Sequence, residues 1–344
     1  MQKEELNKDL YKVVDIIPSA VLKRKNKAKT FEYGYNEKYD VVVISRDGTV
    51  GDVISINNIN IGLPSTPSDV FKRSPKKEDQ YWEVYEYPNQ LKQIKSIFQW
   101  NESPKEFKSK WVDYVESEFD RRESGYWFYN NGTPTYITGT HYMYLQWTKI
   151  DVGYPDFREA NRIFYIFWEA CKADSRCFGM IYLKIRRSGF SYMASEECAN
   201  VATISKNSRI GILSKSGSDA KKMFTDKVVP IVKNYPFFFK PIQDGTTNPR
   251  MELAFREPSK RITKNNKTSS VGEALNTIVN WKNTTNNAYD GEKLHILYLD
   301  EAGKWEKPTY SREAWRIERT CLFVGRRVVG KCIMGSTVNP LDKG

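Results

Sequence analysis

The chain has 344 residues, with 54 Lys+Arg against 42 Asp+Glu, a net charge of +12 and a pI near 9.2. Its 21 Tyr, 17 Phe and 9 Trp exclude a disordered polymer. Its longest apolar runs, such as IFYIFW at 163–168, are far shorter than the roughly 20 residues a membrane-spanning helix needs.

The opening MQKEELNKDL contains no apolar segment of a secretory signal. The excess of basic residues asks for a polyanionic partner or serves solubility. Cys171, Cys177, Cys198, Cys321 and Cys332 are odd in number and form no CxxC, which argues against a disulfide framework. The two histidines, His141 and His295, lie far apart in sequence, so neither a His/Cys zinc site nor Ser-His-Asp catalysis is expected. An enzyme of this composition works with carboxylates, hydroxyls and basic residues.

In chain order, residues 1–30 are polar and end in a basic run, Lys23, Arg24, Lys25, Lys27 and Lys29, which reads as a solvated arm or as a nucleic-acid contact. Residues 39–63 predict strands, with a hairpin turn at Asp47-Gly48. STPSD at 65–69 predicts a loop that ends in a helix cap. Residues 70–123 have helix-like spacing broken at Pro88 and Pro104. Next, YWFYNNGTPTYITGTHYMYLQW gives two aromatic, β-rich runs around an Asn-Gly-Thr-Pro turn. Residues 156–173 predict an amphipathic helix with Phe157, Ile163, Phe164, Phe167 and Trp168 as its buried stripe.

From residue 177 the pattern becomes strand–helix alternation. Strands are predicted at 178–185, 209–215, 276–281, 293–300 and 327–337, with helices at about 192–204 and from a Ser218 cap to about 234. Continuous apolar strands alternating with helices imply a mainly parallel sheet covered on both faces, with ligands bound beyond the carboxyl ends of the strands.

Three motifs fall at such ends. LKIRRSGFSYMAS at 183–195 keeps part of a phosphate-binding loop: Gly189 for the tight turn and Ser191 for the hydroxyl at the helix start. Phe190 occupies the usual lysine position, leaving Lys184 or Arg187 to supply the cation. LHILYLDEAGKWEK at 294–307 ends a buried strand in adjacent acids. Such acids hold Mg²⁺ through water (Asp300) and polarise an attacking water (Glu301), or simply favour a helix start. KCIMGSTVNP at 331–340 ends in Ser336, Thr337 and Asn339, which suit a γ-phosphate or the attacking water. Their order is that of an ATP-hydrolysing P-loop motor.

With these residues in view, the sequence resembles the large terminase subunit of tailed bacteriophages, the motor that drives double-stranded DNA into capsids. One variant Walker A box of that family places its lysine at the front, as K-x-x-R-x-G-[YF]-S, and residues 184–191 read KIRRSGFS. LHILYLDE corresponds to Walker B with its catalytic glutamate, and GSTVNP to the coupling motif. YNNGTPTYITGTHYMYLQW and NNAYDGEKLHILYLDEAGKWEK look like segments from crAss-like phages. The match covers about residues 125–344.

The resemblance implies a P-loop (ASCE/RecA-like) α/β ATPase with a mainly parallel central sheet flanked by helices, plus an N-terminal α+β extension. It implies an extension or lid over 1–120, a motor domain over 121–344, and a chain ending before the family's nuclease domain, so no nuclease activity is expected. It implies ATP and Mg²⁺ as cofactors, with Lys184, Arg187, Ser188, Gly189, Phe190 and Ser191 around the phosphates. Ser191 and Asp300 would hold the metal, Glu301 would be the general base, and Arg187 would act near the γ-phosphate. Ser336, Thr337 and Asn339 would couple hydrolysis to movement. Phe157 and Arg158 lie at the distance of the family's adenine box, or are ordinary helix packing and surface charge.

The implied partners are double-stranded DNA gripped without regard to sequence, the portal protein, the small terminase subunit and copies of the same chain in a ring, usually a pentamer. No membrane is involved. The implied location is the host cytoplasm at the portal vertex of the procapsid. Arg209, Arg256 and Arg261 are candidates for an arginine acting on a neighbour's site. The stretch 257–267 is either a DNA-facing or subunit-facing loop or a plain surface loop. Two further readings stay open: another P-loop DNA translocase or helicase, and a non-hydrolysing DNA-binding or capsid-assembly module with a degenerate loop.

Overall fold

The computed structural model describes residues 34–36, 41–46, 48–68, 81–256, 274–305 and 311–337. The basic run 23–29, Asp47, the helix expected after residue 69, the stretch 257–267 with Arg261, and Asn339 lie outside the described residues.

Short β-branched runs build a first small sheet from β1 (Gly34–Asn36), β2 (Val41–Val43), β3 (Val53–Ile56) and β4 (Ile59–Gly62), in the order β1-β2-β4-β3. The hairpin expected at Asp47-Gly48 does not join β2 to β3. Instead β2 pairs antiparallel with β1 and parallel with β4, and β3–β4 form an antiparallel hairpin. Its turn is Asn57-Asn58, with φ of 52° and 63°. A two-residue turn of this hand needs two left-handed residues, and asparagine tolerates that conformation where a β-branched residue does not.

Three helices follow: α1 (Asn89–Lys92), α2 (Ile97–Glu102) and α3 (Lys105–Ser124). Pro88 and Pro104 stand at the N-caps of α1 and α3, as their fixed φ and missing N–H predict. A second hairpin, β5 (Tyr126–Asn130) and β6 (Thr133–Ile137), turns at Asn131-Gly132 with φ of 47° and 76°. The aromatic run after it is not a strand but helix α4 (Gly139–Trp147), started by Thr138 accepting from the His141 N–H. All its residues are buried, and burial on every side overrides the strand preference of its aromatics.

Helix α5 (Glu159–Ala173) is where periodicity predicted it, but its buried residues divide between two faces. Phe164, Tyr165, Trp168 and Cys171 join the main core, while Ile166, Ala170 and Ala173 pack on Val42, Ile44, Ile61 and Leu63 of the small sheet. Phe167 is half-buried, Phe157 lies before the helix, and Ile163 stays 41% exposed, so the single stripe read from the sequence is corrected.

The central layer contains β7 (Gly179–Lys184), α6 (Phe190–Ile204), β8 (Arg209–Leu213), α7 (Gly217–Met223), a π turn (Phe224–Val228) and α8 (Val229–Asn234). It continues through β9 (Glu252–Phe255), β10 (Thr277–Trp281), β11 (Ile296–Asp300), α9 (Ser311–Glu318), the short hairpin β12 (Phe323–Val324) and β13 (Arg327–Val328), and β14 (Lys331–Thr337). Ser216, not Ser218, caps α7, accepting from the Asp219 N–H at 3.2 Å. The π turn lies just before Pro230, which has no N–H to continue the helical ladder.

The sheet order is β7-β14-β11-β8-β10-β9, parallel except for the β9–β10 pair. One strand, β14, thus separates the strand before the glycine turn from the strand that ends in acids. This is a mainly parallel sheet flanked by helices. Side chains alternate across it: Ile296 and Tyr298 enter the main core under α6, and Leu297 and Leu299 the second core with Trp305, Ala314 and Leu322. Coverage of the second face stops short of β7, where Ile181, Leu183 and Ile185 are 72%, 69% and 81% exposed. At this edge strand the expectation of two covered faces does not hold.

A buried polar network ties α6 to the preceding helices. Arg122 donates to Asn200 Oδ1 at 2.7 Å and to the Asn200 carbonyl at 2.8 Å. Glu197 accepts from Thr140 at 2.8 Å and from Lys172 at 3.1 Å, and Glu196 accepts from the Thr148 and Tyr235 hydroxyls. Burial pushes the Glu196 carboxyl from 4.5 up to about 8 against those hydrogen bonds. The folded protein therefore holds a proton there that the unfolded chain releases near 4.5, so this contribution to stability is full below that pH and fades as pH rises through about 8. Glu196→Gln should flatten that decline, raising stability at alkaline pH relative to the parent; denaturant unfolding at a series of pH values checks it.

Candidate active site at the carboxyl edge of the sheet

Strand register builds the site. In parallel pairing Thr337 lies beside Lys184, and Gly335 lies beside both Tyr182 and Asp300. Three chain segments distant in sequence therefore end at one edge.

The turn after β7 holds Arg187 at φ 61° and Gly189 at φ 84°. Gly189 is the N-cap of α6, and no side chain caps the helix. A helix start without a capping oxygen presents its N–H groups and positive dipole end to an anion. Beside it the Ser188 hydroxyl is buried with no hydrogen-bond partner among the described residues. A buried orphan donor next to an uncapped helix start fits a phosphate. Arg187 is exposed and carries its charge at the rim of this turn.

Phe190 explains what replaced the usual lysine. Its ring is buried, stacks on Tyr182 at 5.4 Å and meets Phe164 and Tyr298 edge-on. Its side chain is a core anchor under the loop, so only its backbone faces the cradle. Of the two candidate cations, Lys184 reaches into the site: its ammonium lies 5.4 Å from the Phe190 ring centroid and 2.9 Å from Glu301 Oε1.

Asp300 and Glu301 receive opposite treatment. Asp300 is buried; its Oδ2 accepts from Ser214 and its Oδ1 from Tyr298, both at 3.1 Å. Burial raises its pKa, and neighbouring Glu301 adds to this against the pull of Lys184. Glu301 stands at φ 48°, a left-handed conformation that is strained for a residue with a side chain. Burial disfavours its charge, but the ammonium groups of Lys304 and Lys184 outweigh that and hold its carboxyl down to about 2. Lys304 lies 2.7 Å and Thr337 Oγ1 3.3 Å from Glu301 Oε2. Ser336 Oγ accepts from the Gly303 N–H at 3.1 Å, fastening the end of β14 to the turn after Glu301.

Ser191 and Asp300 meet through an intermediary. Ser191 acts on Tyr298, drawing its pKa down against the effect of burial, and Tyr298 donates to Asp300 at 3.1 Å. A hydroxyl and a carboxylate short of positive charge suit Mg²⁺, which keeps waters and takes one or two carboxylates plus phosphate. Among the described residues no group of three His, Cys, Asp or Glu could hold a metal by itself.

Of the residues singled out in the sequence, the fold brings together Lys184, Ser191, Asp300, Glu301, Ser336 and Thr337. Phe157 stacks on buried His141 at 5.8 Å and meets Phe128 edge-on. Arg158 is exposed and acts on the pKa of Tyr144, a residue whose hydroxyl borders Gly189. Arg209 begins β8 at the opposite end of the strands, and Arg256 pairs with Asp244 at 2.7 Å and Glu252 at 3.6 Å.

Tyr298, Ser214, Lys304 and Lys227 were not legible as site residues. Lys227, in the π turn, lies 3.7 Å from the Tyr192 ring centroid, and its charge is felt by Asp300 and Lys184. The available signal for Tyr298 was strand alternation, which puts it on the face of Asp300. For Lys304 it was the three-residue spacing from Glu301.

These features define an α/β fold with a mainly parallel central sheet that carries a basic turn, an acidic strand end and a hydroxyl-bearing strand end at one edge. No protein-family profile and no curated protein matches the chain. Among solved structures it is similar to the HK97 bacteriophage large terminase, at 14% identity and a TM-score of 0.42 over 57% of this chain and 36% of that one. It is also similar to the Thermus phage P74-26 large terminase ATPase domain, at 17% identity and a TM-score of 0.32 over 47% of this chain and 60% of that one. A mutant of the latter gives 18% and 0.33 over the same shares. The chain thus spans between 36% and 60% of the length of these structures. At such identities and scores the likeness carries no argument about chemistry.

Gly335 is required by Phe190, since a Cβ there would lie 2.1 Å from the ring. Gly335→Ala should cost about 1–3 kcal/mol by overpacking. Adding Phe190→Leu should recover part of the loss; denaturant midpoints of the single and double variants check this.

Proposed function

We propose that the chain is the ATP-hydrolysing motor part of a viral large terminase, which drives double-stranded DNA into a procapsid. The observation that carries the ATPase half is the meeting of Lys184, Asp300, Glu301 and Thr337 at the carboxyl edge of adjacent strands β7, β14 and β11. The packaging half is supported by the ordered motifs of the terminase resemblance and by the net charge of +12.

In this reading Lys184 and Arg187 neutralise the outer phosphates, and the backbone from Ser188 to Ser191 wraps them. Ser191 and Asp300 would hold Mg²⁺, Asp300 through water. When bound, that ion supplies charge neutralisation to the phosphate oxygens. Glu301 accepts the proton of the attacking water. Ser336 and Thr337, fastened to the turn after Glu301, transmit loss of the terminal phosphate to β14 and, with Asn339, to whatever grips DNA. Phe157 and Arg158 border the base. Residues 1–120 form an extension and 121–344 the motor. The partners are sequence-independent double-stranded DNA, the portal, the small terminase subunit and a ring of identical chains, in the host cytoplasm at the portal vertex.

One observation favours a competing reading. The buried Phe190 at the usual lysine position is also what a non-hydrolysing DNA-binding or assembly module would carry. ATP turnover decides between them. Glu301→Gln should lower turnover about 10²–10⁴-fold while nucleotide binding persists; equal turnover in both proteins would sink the hydrolytic reading. Lys184→Ala should weaken ATP binding more than Arg187→Ala, because Lys184 lies within the site and Arg187 at its rim; isothermal calorimetry with a non-hydrolysable ATP analogue measures both.

A further inference from the structure

Glu301 carries more positive charge than a general base needs. Lys184 engages Oε1 at 2.9 Å, and Lys304 engages Oε2 at 2.7 Å alongside Thr337. Both carboxylate oxygens are thus engaged by ammonium groups. The two lysines are not equivalent, however. Lys184 ends β7 at the phosphate turn, where a polyphosphate outcompetes one carboxylate for its charge. Lys304 belongs to the single 3₁₀ turn Ala302–Lys304 that follows Glu301. Its N–H donates to the Glu301 carbonyl at 2.8 Å, and the preceding Gly303 N–H is anchored on Ser336. Its backbone is thereby fixed beside the carboxylate that its ammonium pairs with.

We propose that Lys304 is the positioning residue that keeps Glu301 in place during turnover, while Lys184 restrains Glu301 only until nucleotide phosphates draw it away. Nucleotide entry then frees Oε1 towards the water while Oε2 stays fixed. The arrangement also accounts for the strained backbone at Glu301, since the pair with Lys304 and the bond from Thr337 hold the carboxylate from two directions. A single half-buried i,i+3 ion pair contributes little to stability beside the core, so removing Lys304 should show in turnover and not in melting.

The proposal rests on the ATPase reading, and the test separates the two. Lys304→Met should lower kcat about ten-fold with KM for ATP, analogue affinity and melting temperature unchanged, and Lys304→Arg should restore most of the rate. In the parent protein, the side-chain nitrogen resonance of Lys184 should move when Mg²⁺ and the non-hydrolysable analogue bind, while that of Lys304 stays. This second readout decides the matter if Lys304→Met fails to fold. If the parent outpaces Glu301→Gln but Lys304→Met matches the parent, or if the Lys304 resonance moves with that of Lys184, the inference is overturned and the ATPase reading stands. If the parent and Glu301→Gln hydrolyse alike, both fall.

Discussion

The parallel register of β7, β14 and β11 is the constraint on which the site depends. Thr337 beside Lys184, and Gly335 beside Asp300, fix a cation, two acids and a hydroxyl within a few ångströms of one another at the ends of strands that are far apart in the chain. A shift by one residue in any of these strands would turn Lys184, Asp300 or Thr337 to the other face. The register is held from below by Phe190, whose ring fills the space left by Gly335 and stacks on Tyr182. One apolar side chain thus shapes the loop floor and locks the two strands beside it.

Charge is handled differently at the two acids because they sit in different surroundings. Asp300 is enclosed and has no ion pair among the described residues, so burial makes its carboxylate costly. Glu301 is partly open and flanked by Lys184 and Lys304, so its charge is secured before any ligand arrives. Adjacent acids in a strand-end motif look alike in sequence; their environments separate the roles.

Behind the edge, α6 connects the loop to the rest of the molecule. Glu196 and Glu197 on α6 reach Thr148, Tyr235, Thr140 and Lys172, and Arg122 of α3 reaches Asn200 and Thr203 of the same helix. These buried bonds join segments before the loop to the helix that starts at Gly189. Movement of that helix therefore has to carry α3, α4 and α5 with it, or exchange bonds that are expensive to break in the interior.

The sequence alone determined the strand–helix alternation, the breaks at Pro88 and Pro104, the Asn131-Gly132 turn and the three strand-end motifs. Each follows from local chemistry: hydrophobic period, fixed φ, left-handed tolerance, or a charge at the end of an apolar run. Only the tertiary structure decided which strands are neighbours, that α4 is a helix despite its aromatics, that Asn57-Asn58 and not Asp47-Gly48 makes the first hairpin, and that β7 leaves Ile181, Leu183 and Ile185 uncovered. It also decided that Lys184, Lys304 and Thr337 converge on Glu301. Pairing and burial depend on contacts between residues distant in the chain, and no local preference encodes which of them will meet.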